Sequence, residues 1–166
     1  QCVSEMALAG FSGCEVGNKY PKDVKELKKQ LDMRGLSIAN QWFSSFILTQ
    51  PMEKVERDFA AQCEFLHAMG AKIIGASEQS YSIQGTDIPV FEGKYVMNAK
   101  EWEKLAAGLN KLGKIAQSYG ISLTYHHHMG TVVQTAEETD RLMEMTDPGL
   151  FSLLYDTGHL AYCGED

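Results

Sequence analysis

The stretch Gly120-Ile121-Ser122-Leu123-Thr124-Tyr125 is a short apolar run that begins directly after a glycine and ends at a group of histidines. A glycine in this place suits the left-handed position just past the end of a helix. The same form recurs at residues 11–16, 36–40, 71–76 and 150–155, each run with a glycine before it and polar residues behind it. This order of helix and short apolar strand predicts an α/β fold with a parallel sheet.

Segments with the spacing of amphipathic helices separate the runs. They cover residues 22–34, 52–69, 99–119 and 135–146, and Asn98 and Thr135 carry the side chains of helix N-caps. Residues 79–98 form a long connection without helical periodicity, rich in apolar and tyrosine side chains. Such a connection favours a lid over the polar strand ends, and a packed but inert surface loop is the alternative.

The length of the chain bears on the kind of barrel it can form. A complete (β/α)8 barrel needs about 250 residues, and this chain has 166. We therefore expect an incomplete (β/α)8 TIM barrel in which residues 1–166 form one partial domain, truncated at both ends. Strands two to six would be present, strand one would precede Gln1, and strands seven and eight would follow Asp166.

A self-contained, doubly wound five-stranded sheet is the alternative fold. No glycine-rich phosphate loop follows any of the runs, which argues against it. A partial barrel would expose unpaired sheet edges and part of a core. We therefore expect poor solubility of this piece alone.

The composition excludes several classes of partner. A net charge of -7 and a pI near 5.2 provide no basic stripe, so we expect no nucleic-acid partner. The four cysteines form no CxxC pair, which favours a reducing compartment. No apolar stretch approaches the ~20 residues of a membrane span. We expect a cytoplasmic protein without membrane association, and the composition leaves homo-oligomerisation open.

The histidine cluster after residue 125 indicates metal chemistry. Strand alternation points His126 and His128 to one face, and Asp156, two residues beyond Leu154, shares that inward parity. Imidazole and carboxylate together bind ions such as Mn, Co, Fe or Zn. We predict His126, His128 and Asp156 as metal ligands, and His127 turned outward to the helix layer. A hydrogen-bonded polar cluster, and a helix cap at Asp156, are the alternatives.

Five further side chains are candidates for catalysis or substrate binding. His159 has the ordinary pKa range of an acid or base near neutrality. Glu78 ends a run and is a second candidate for a catalytic role, as substrate ligand or proton carrier. Lys19, Gln41 and Trp42 follow the first two runs and are candidate substrate-binding residues. Solvated loop positions and ordinary packing are the alternative interpretations.

These residues stand in segments that resemble the xylose-isomerase-like superfamily of sugar isomerases and epimerases. The matching segments are residues 15–21, 41–46, 69–72, 77–79, 125–131 and 156–160. Within the superfamily, the chain is most similar to hydro-lyases of inositol breakdown. The resemblance implies a TIM barrel that binds a divalent metal, Mn or Co, and dehydrates a polyol ketone, 2-keto-myo-inositol, to a cyclic dione. Whether a thiol such as glutathione assists is left open.

The resemblance also implies a ligand pattern. The superfamily typically holds its metal through Glu, Asp, His and Glu from strands five to eight. Asp156 matches the Asp, and His159 matches the substrate-contacting histidine behind it. The chain departs at strand five, where His126 or His128 stands in place of Glu. The last two ligands would follow Asp166, so this piece alone is expected to be inactive.

Other functions remain as alternatives at this point. A ketose isomerase or epimerase would use the same barrel and ion. A metal-dependent hydrolase carries its His-x-His pair characteristically on the first strand, whereas here the pair follows the fourth run. A non-catalytic metal- or sugar-binding module is the alternative from another class.

Overall fold

The computed structural model describes residues 2–164. Within them, helices and strands alternate along the chain, as the sequence predicts. The helices are α1 (Cys2–Leu8), α2 (Val24–Asp32), α3 (Met52–Met69), α4 (Val90–Gly93), α5 (Ala99–Ser118), α6 (Ala136–Met145) and α7 (Thr157–Tyr162). The strands are β1 (Gly13–Glu15), β2 (Ser37–Asn40), β3 (Trp42–Ser45), β4 (Ile73–Glu78), β5 (Ser122–His126) and β6 (Phe151–Leu154).

All strand pairs are parallel and follow chain order. β1 pairs with β2, and β3, β4, β5 and β6 form a second ladder in that sequence. Only Gln41 separates β2 from β3, and its carbonyl accepts the N–H of Gly75 at 3.1 Å. β2 and β3 therefore act as one bent strand that joins the two ladders. β2 ends at Asn40, where the predicted run ends, and the separate strand β3 that follows Gln41 was not predicted.

The two faces of this sheet differ. On the convex face, Phe43 packs its ring 4.9 Å from that of Phe59 on α3, and the side chains of β4 and β5 on this side are buried beneath the helices. On the concave face, a Cβ added at Gly75 would lie 3.2 Å from Asn40 and 3.5 Å from Leu154. Side chains of β2 and β6 thus approach the backbone of β4 on the inside of a curved sheet, although β5 lies between β4 and β6 in the ladder.

The fold is an α/β barrel of the (β/α)8 type that is incomplete. Among residues 2–164, no further strand lies beside β1 or β6, so the barrel is not closed. Within the same residues, every helix is too short or too polar to form a membrane span.

Local signals place the helix ends. Asn98 and Thr135 are helix N-caps, as predicted, and each also forms a capping box, with Glu101 and Glu138 respectively. Gly120 has the expected positive φ of 68°. Gly149 does not adopt a positive φ. Its N–H donates instead to the Asp147 carboxylate at 2.8 Å in the turn before β6.

Residues 79–98 form a packed loop with one short helix, α4. The rings of Tyr81 and Tyr95 stack at 4.0 Å and close the loop at its two ends. The N–H of Ile83 donates to the carbonyl of Gly130 at 2.9 Å, and Lys94 pairs with the largely buried Glu138. The loop is therefore fastened to the segment that follows β5.

Candidate metal centre

Three side chains meet just beyond the ends of β5 and β6. They are His126, Asp156 and His159, and one potential ligand atom of each lies within 4.8 Å of the other two. Nε2 of His126 is 3.2 Å and Nε2 of His159 is 3.8 Å from Oδ2 of Asp156. Ligand atoms bound at about 2.1 Å to one ion lie roughly this close to one another. Two imidazoles and a carboxylate are donors that suit a divalent transition metal.

The strands and one helix cap produce this arrangement. His126 is the last residue of β5 and pairs with Leu154 at the end of β6. Asp156 lies two residues further along, so its side chain returns to the concave face. Oδ1 of Asp156 accepts the N–H of His159 at 2.9 Å and caps α7. This first turn of α7 carries the His159 ring back to the other oxygen. Asp156 thus caps a helix, and its second oxygen faces two imidazoles.

His128 lies beside this trio rather than within it. Its ring centroid is 4.1 Å from that of His159 and 5.5 Å from that of His126. Its Nδ1 contacts Nε2 of Gln84 at 2.8 Å and the carbonyl of Met129 at 3.0 Å. Strand alternation ends with β5 at residue 126, and the chain turns where the N–H of Thr131 bonds the carbonyl of His128. The alternation used to predict His128 as a ligand therefore does not extend to it.

His127 faces the other way, as the sequence predicts. It is completely buried. Its Nε2 accepts the backbone N–H of Asp156 at 3.3 Å, and its Nδ1 has no hydrogen-bond partner among residues 2–164.

The local electrostatics favour the protonation states in which the two histidines and Asp156 can bind a metal ion. Burial, followed by the neighbouring His159, lowers the pKa of His126 below its ordinary 6.5. Burial, followed by His128, does the same to the pKa of His159. The N–H of His159 lowers the pKa of Asp156 below its ordinary value. Neutral imidazoles and an ionised carboxylate are the forms that bind metal, so the cluster is prepared for a cation near neutral pH.

The structure brings only one of the three predicted substrate-binding residues to this centre. The ring of Trp42 stands edge-on to His126, with centroids 5.5 Å apart. Gln41, its neighbour in the bent strand, lies in a groove with Gln62 and Phe65 of α3. Lys19 is exposed in the loop after β1. Of the three predicted substrate-binding residues, only Trp42 therefore borders the metal centre.

Glu78 lies away from the metal centre, with its carboxylate completely buried. One oxygen accepts the hydroxyl of Ser45 at 2.6 Å and the N–H of Ile47 at 2.9 Å. The other accepts the N–H of Ser80 at 3.0 Å. Glu78 shares strand parity with the buried Ile74, so it faces the helix layer. Burial raises its pKa. The geometry gives Glu78 the role of tying β3 to β4.

Sequence reasoning missed Gln84, whose amide touches His128. No local motif identifies it, because it lies in the loop of residues 79–98 without regular structure. The only signal was the prediction that this loop covers the polar strand ends.

Parallel strands joined by helices, with side chains that could hold a metal ion at their carboxyl ends, are the architecture of TIM-barrel proteins, which bind ligands at this rim. The chain belongs to the xylose isomerase-like TIM barrel family, whose model matches residues 3–166.

Three curated relatives of the chain share one name, inosose dehydratase. The chain is 60% identical to the inosose dehydratase of Clostridium perfringens, covering 100% of this chain and 56% of the relative. It is 62% identical to the inosose dehydratase of Clostridium beijerinckii and 58% identical to that of Bacillus anthracis, with the same coverage. The chain thus spans about half the length of the curated relatives it matches.

Solved structures agree on the fold. The probable 3-DHS dehydratase of Bacillus anthracis superposes with a TM-score of 0.76 at 15% identity, over 99% of this chain and 60% of that one. The D-psicose 3-epimerase of Clostridium cellulolyticum superposes with a TM-score of 0.71 at 17% identity, over 95% and 57%. At these identities the likeness establishes the barrel architecture.

Proposed function

We propose that the protein is an inosose dehydratase, a hydro-lyase that removes water from 2-keto-myo-inositol to give a trihydroxycyclohexane-dione. The observation that carries the proposal is the identity of about 60% with inosose dehydratases across this whole chain. The cluster of His126, Asp156 and His159 supports a dependence on a divalent ion, for which Mn or Co is proposed.

The three clustered residues would hold the ion, through the Nε2 atoms of the two histidines and Oδ2 of Asp156. When bound, the ion supplies a Lewis acid for the ketone and a neighbouring hydroxyl. The geometry favours His159 as the third ligand, whereas the sequence prediction gave that role to His128 and made His159 the proton carrier. The two rings are adjacent, so His128 takes the proton-transfer role in this proposal.

The remaining chemistry belongs to proton transfer and positioning. Loss of the hydroxyl β to a ketone needs a base that takes the proton from the carbon between them and an acid that protonates the hydroxyl as it leaves as water, placed on either side of the ring. Nδ1 of His128 lies against Gln84 and the Met129 carbonyl and hydrogen bonds to one or the other according to its tautomer. In this proposal, its other ring nitrogen serves the substrate. Trp42 offers an apolar ring beside His126, against which the C–H face of a cyclitol would pack.

Replacement of Asp156 by Ala in the complete protein tests this function. We expect the variant to lose both tight metal retention and turnover. Metal analysis measures the first, and the absorbance of the conjugated dione measures the second. Asp140, exposed on α6, is a matched control, and Asp140→Ala should leave both unchanged.

The reaction product distinguishes a dehydratase from the alternative functions. A ketose isomerase or epimerase would return the proton without losing water, so no dione absorbance would develop. A non-catalytic binding module would bind keto-inositol without converting it. Either result with the complete, metal-loaded protein would contradict the proposal.

A further inference from the structure

We infer that His127 is a positioning residue for the metal centre, which it orders by holding the backbone of Asp156. The inference rests on the proposed metal site. His127 lies on the helix side of the sheet, and the proposed ligands lie on the concave side. Its effect on the site therefore passes through the main chain.

The strand ladder shows why a side chain is needed at this point. The pairing of β5 with β6 ends at His126 and Leu154. The N–H of Asp156 lies beyond this last pair, where no strand carbonyl receives it. Nε2 of His127 accepts it at 3.3 Å. The imidazole thus extends the connection between the two strands by one further hydrogen bond.

This bond fixes the state of the His127 ring. A ring nitrogen that accepts an N–H carries no proton, so His127 is neutral with its proton on Nδ1. That Nδ1 is buried and has no partner among residues 2–164. A buried donor without a partner is unfavourable for folding. An apolar side chain of similar size would avoid this penalty, so the benefit of the imidazole lies in its contact with Asp156.

Together with the helix cap, the His127 bond restrains Asp156 at two points. The backbone N–H is held by His127, and Oδ1 is held by the N–H of His159. Oδ2 is then left facing the Nε2 atoms of His126 and His159. Hydrogen bonds behind metal ligands fix their orientation, and their loss typically lowers metal affinity about 10- to 100-fold.

A matched pair of variants in the complete protein tests the inference. In His127→Gln, the amide oxygen occupies the place of Nε2 and can accept the Asp156 N–H. In His127→Met, a methyl group occupies that place and cannot. The measurements are the Mn²⁺ dissociation constant by calorimetry and the melting temperature of the metal-free protein.

We expect His127→Met to weaken Mn²⁺ binding about 10- to 100-fold and His127→Gln to retain most of the affinity, at similar melting temperatures. Equal affinities in the two variants would overturn the inference, as would a lower melting temperature in His127→Met with unchanged affinity. The variant Asp156→Ala distinguishes a failure of this inference from a failure of the proposed metal site. If Asp156→Ala also leaves Mn²⁺ binding intact, the metal site itself is refuted.

A second measurement needs no variant. Nitrogen-15 NMR of the unaltered protein distinguishes the two neutral tautomers of a histidine ring. We expect the Nδ1–H form at His127. A proton on Nε2 would exclude the bond to Asp156 and overturn the inference.

Discussion

At the scale of single residues, strand alternation explains which side chains reach the metal centre. His126 and Trp42 lie within strands, and Asp156 lies one alternation beyond β6. Each faces the concave side as its parity requires. Within the strands the sequence therefore suffices to assign a face. Alternation still assigns the faces of His127 and Asp156, one and two residues beyond their strands, but it fails at His128, where the backbone turns between residues 128 and 131.

Glu78 illustrates a related difficulty. A carboxylate at a strand end suggested chemistry, yet its parity with Ile74 and Ala76 places it among buried side chains. The local sequence did not indicate these contacts, because Ser45 lies at the end of β3 and Ile47 in the turn after it. No feature of the sequence around Glu78 predicts those hydrogen-bond partners.

Replacement of Glu78 by Gln should therefore affect stability. The amide N–H of the glutamine would face one of the N–H or O–H groups whose hydrogen bond the carboxylate now accepts. We expect this to lower the free energy of unfolding by about 1–3 kcal/mol. Urea denaturation of the complete protein measures this, with the exposed Glu64→Gln on α3 as control. A Glu78→Gln protein of unchanged stability and abolished turnover would instead support the catalytic role predicted from the sequence.

Folding stability without metal should fall as the pH drops below about 6.5, the ordinary histidine pKa. The pKa values of His126, His127 and His159 are lowered in the folded protein, in each case first by burial. The unfolded chain therefore binds protons that the folded chain does not, and stability is lost between the ordinary pKa and the lowered ones.

Melting temperatures of the metal-free protein between pH 5 and pH 7.5, a range chosen about the ordinary histidine pKa, check this prediction. The variant His126→Gln should show a shallower dependence, because one of the contributing imidazoles is gone. A melting temperature that rises on acidification would show that the folded state favours the charged rings.

At the scale of elements, the long helices were predictable and the short pieces were not. α3 has the predicted bounds, because eighteen residues give clear periodicity. α7 has only six residues, too few for a pattern, although Asp156 is its cap. The bend between β2 and β3 likewise has no local signal, since it depends on pairing with β1 and β4.

The loop of residues 79–98 lies at the rim, and its lid function remains a prediction. Gln84, an exposed residue of this loop, hydrogen bonds to His128. Gln84→Ala should therefore raise KM for the keto-inositol several-fold while leaving the melting temperature unchanged. Gln117→Ala, an exposed position near the end of α5, serves as control. Equal KM values in the two variants would assign the loop to surface packing.

At the scale of the whole molecule, the order of strands in the sheet follows from the chain. The five glycine-led runs became β1, β2, β4, β5 and β6, which together with β3 pair in parallel and in chain order, as in a (β/α)8 barrel. Within residues 2–164 the barrel is not closed.

Produced alone, these 166 residues should self-associate, because the edges at β1 and β6 and the concave face are unpaired within residues 2–164. Light scattering coupled to size-exclusion chromatography measures this. A monomer with a cooperative thermal transition would contradict the expectation.

In the proposed metal centre, His126, Asp156 and His159 share one cation. Anomalous diffraction from crystals of the complete protein grown with Mn²⁺ tests it most directly. We expect a single strong peak at about 2.0–2.3 Å from Nε2 of both histidines and from Oδ2 of Asp156. A peak bound elsewhere, or no peak at these three residues in metal-saturated crystals, would rule out this metal centre.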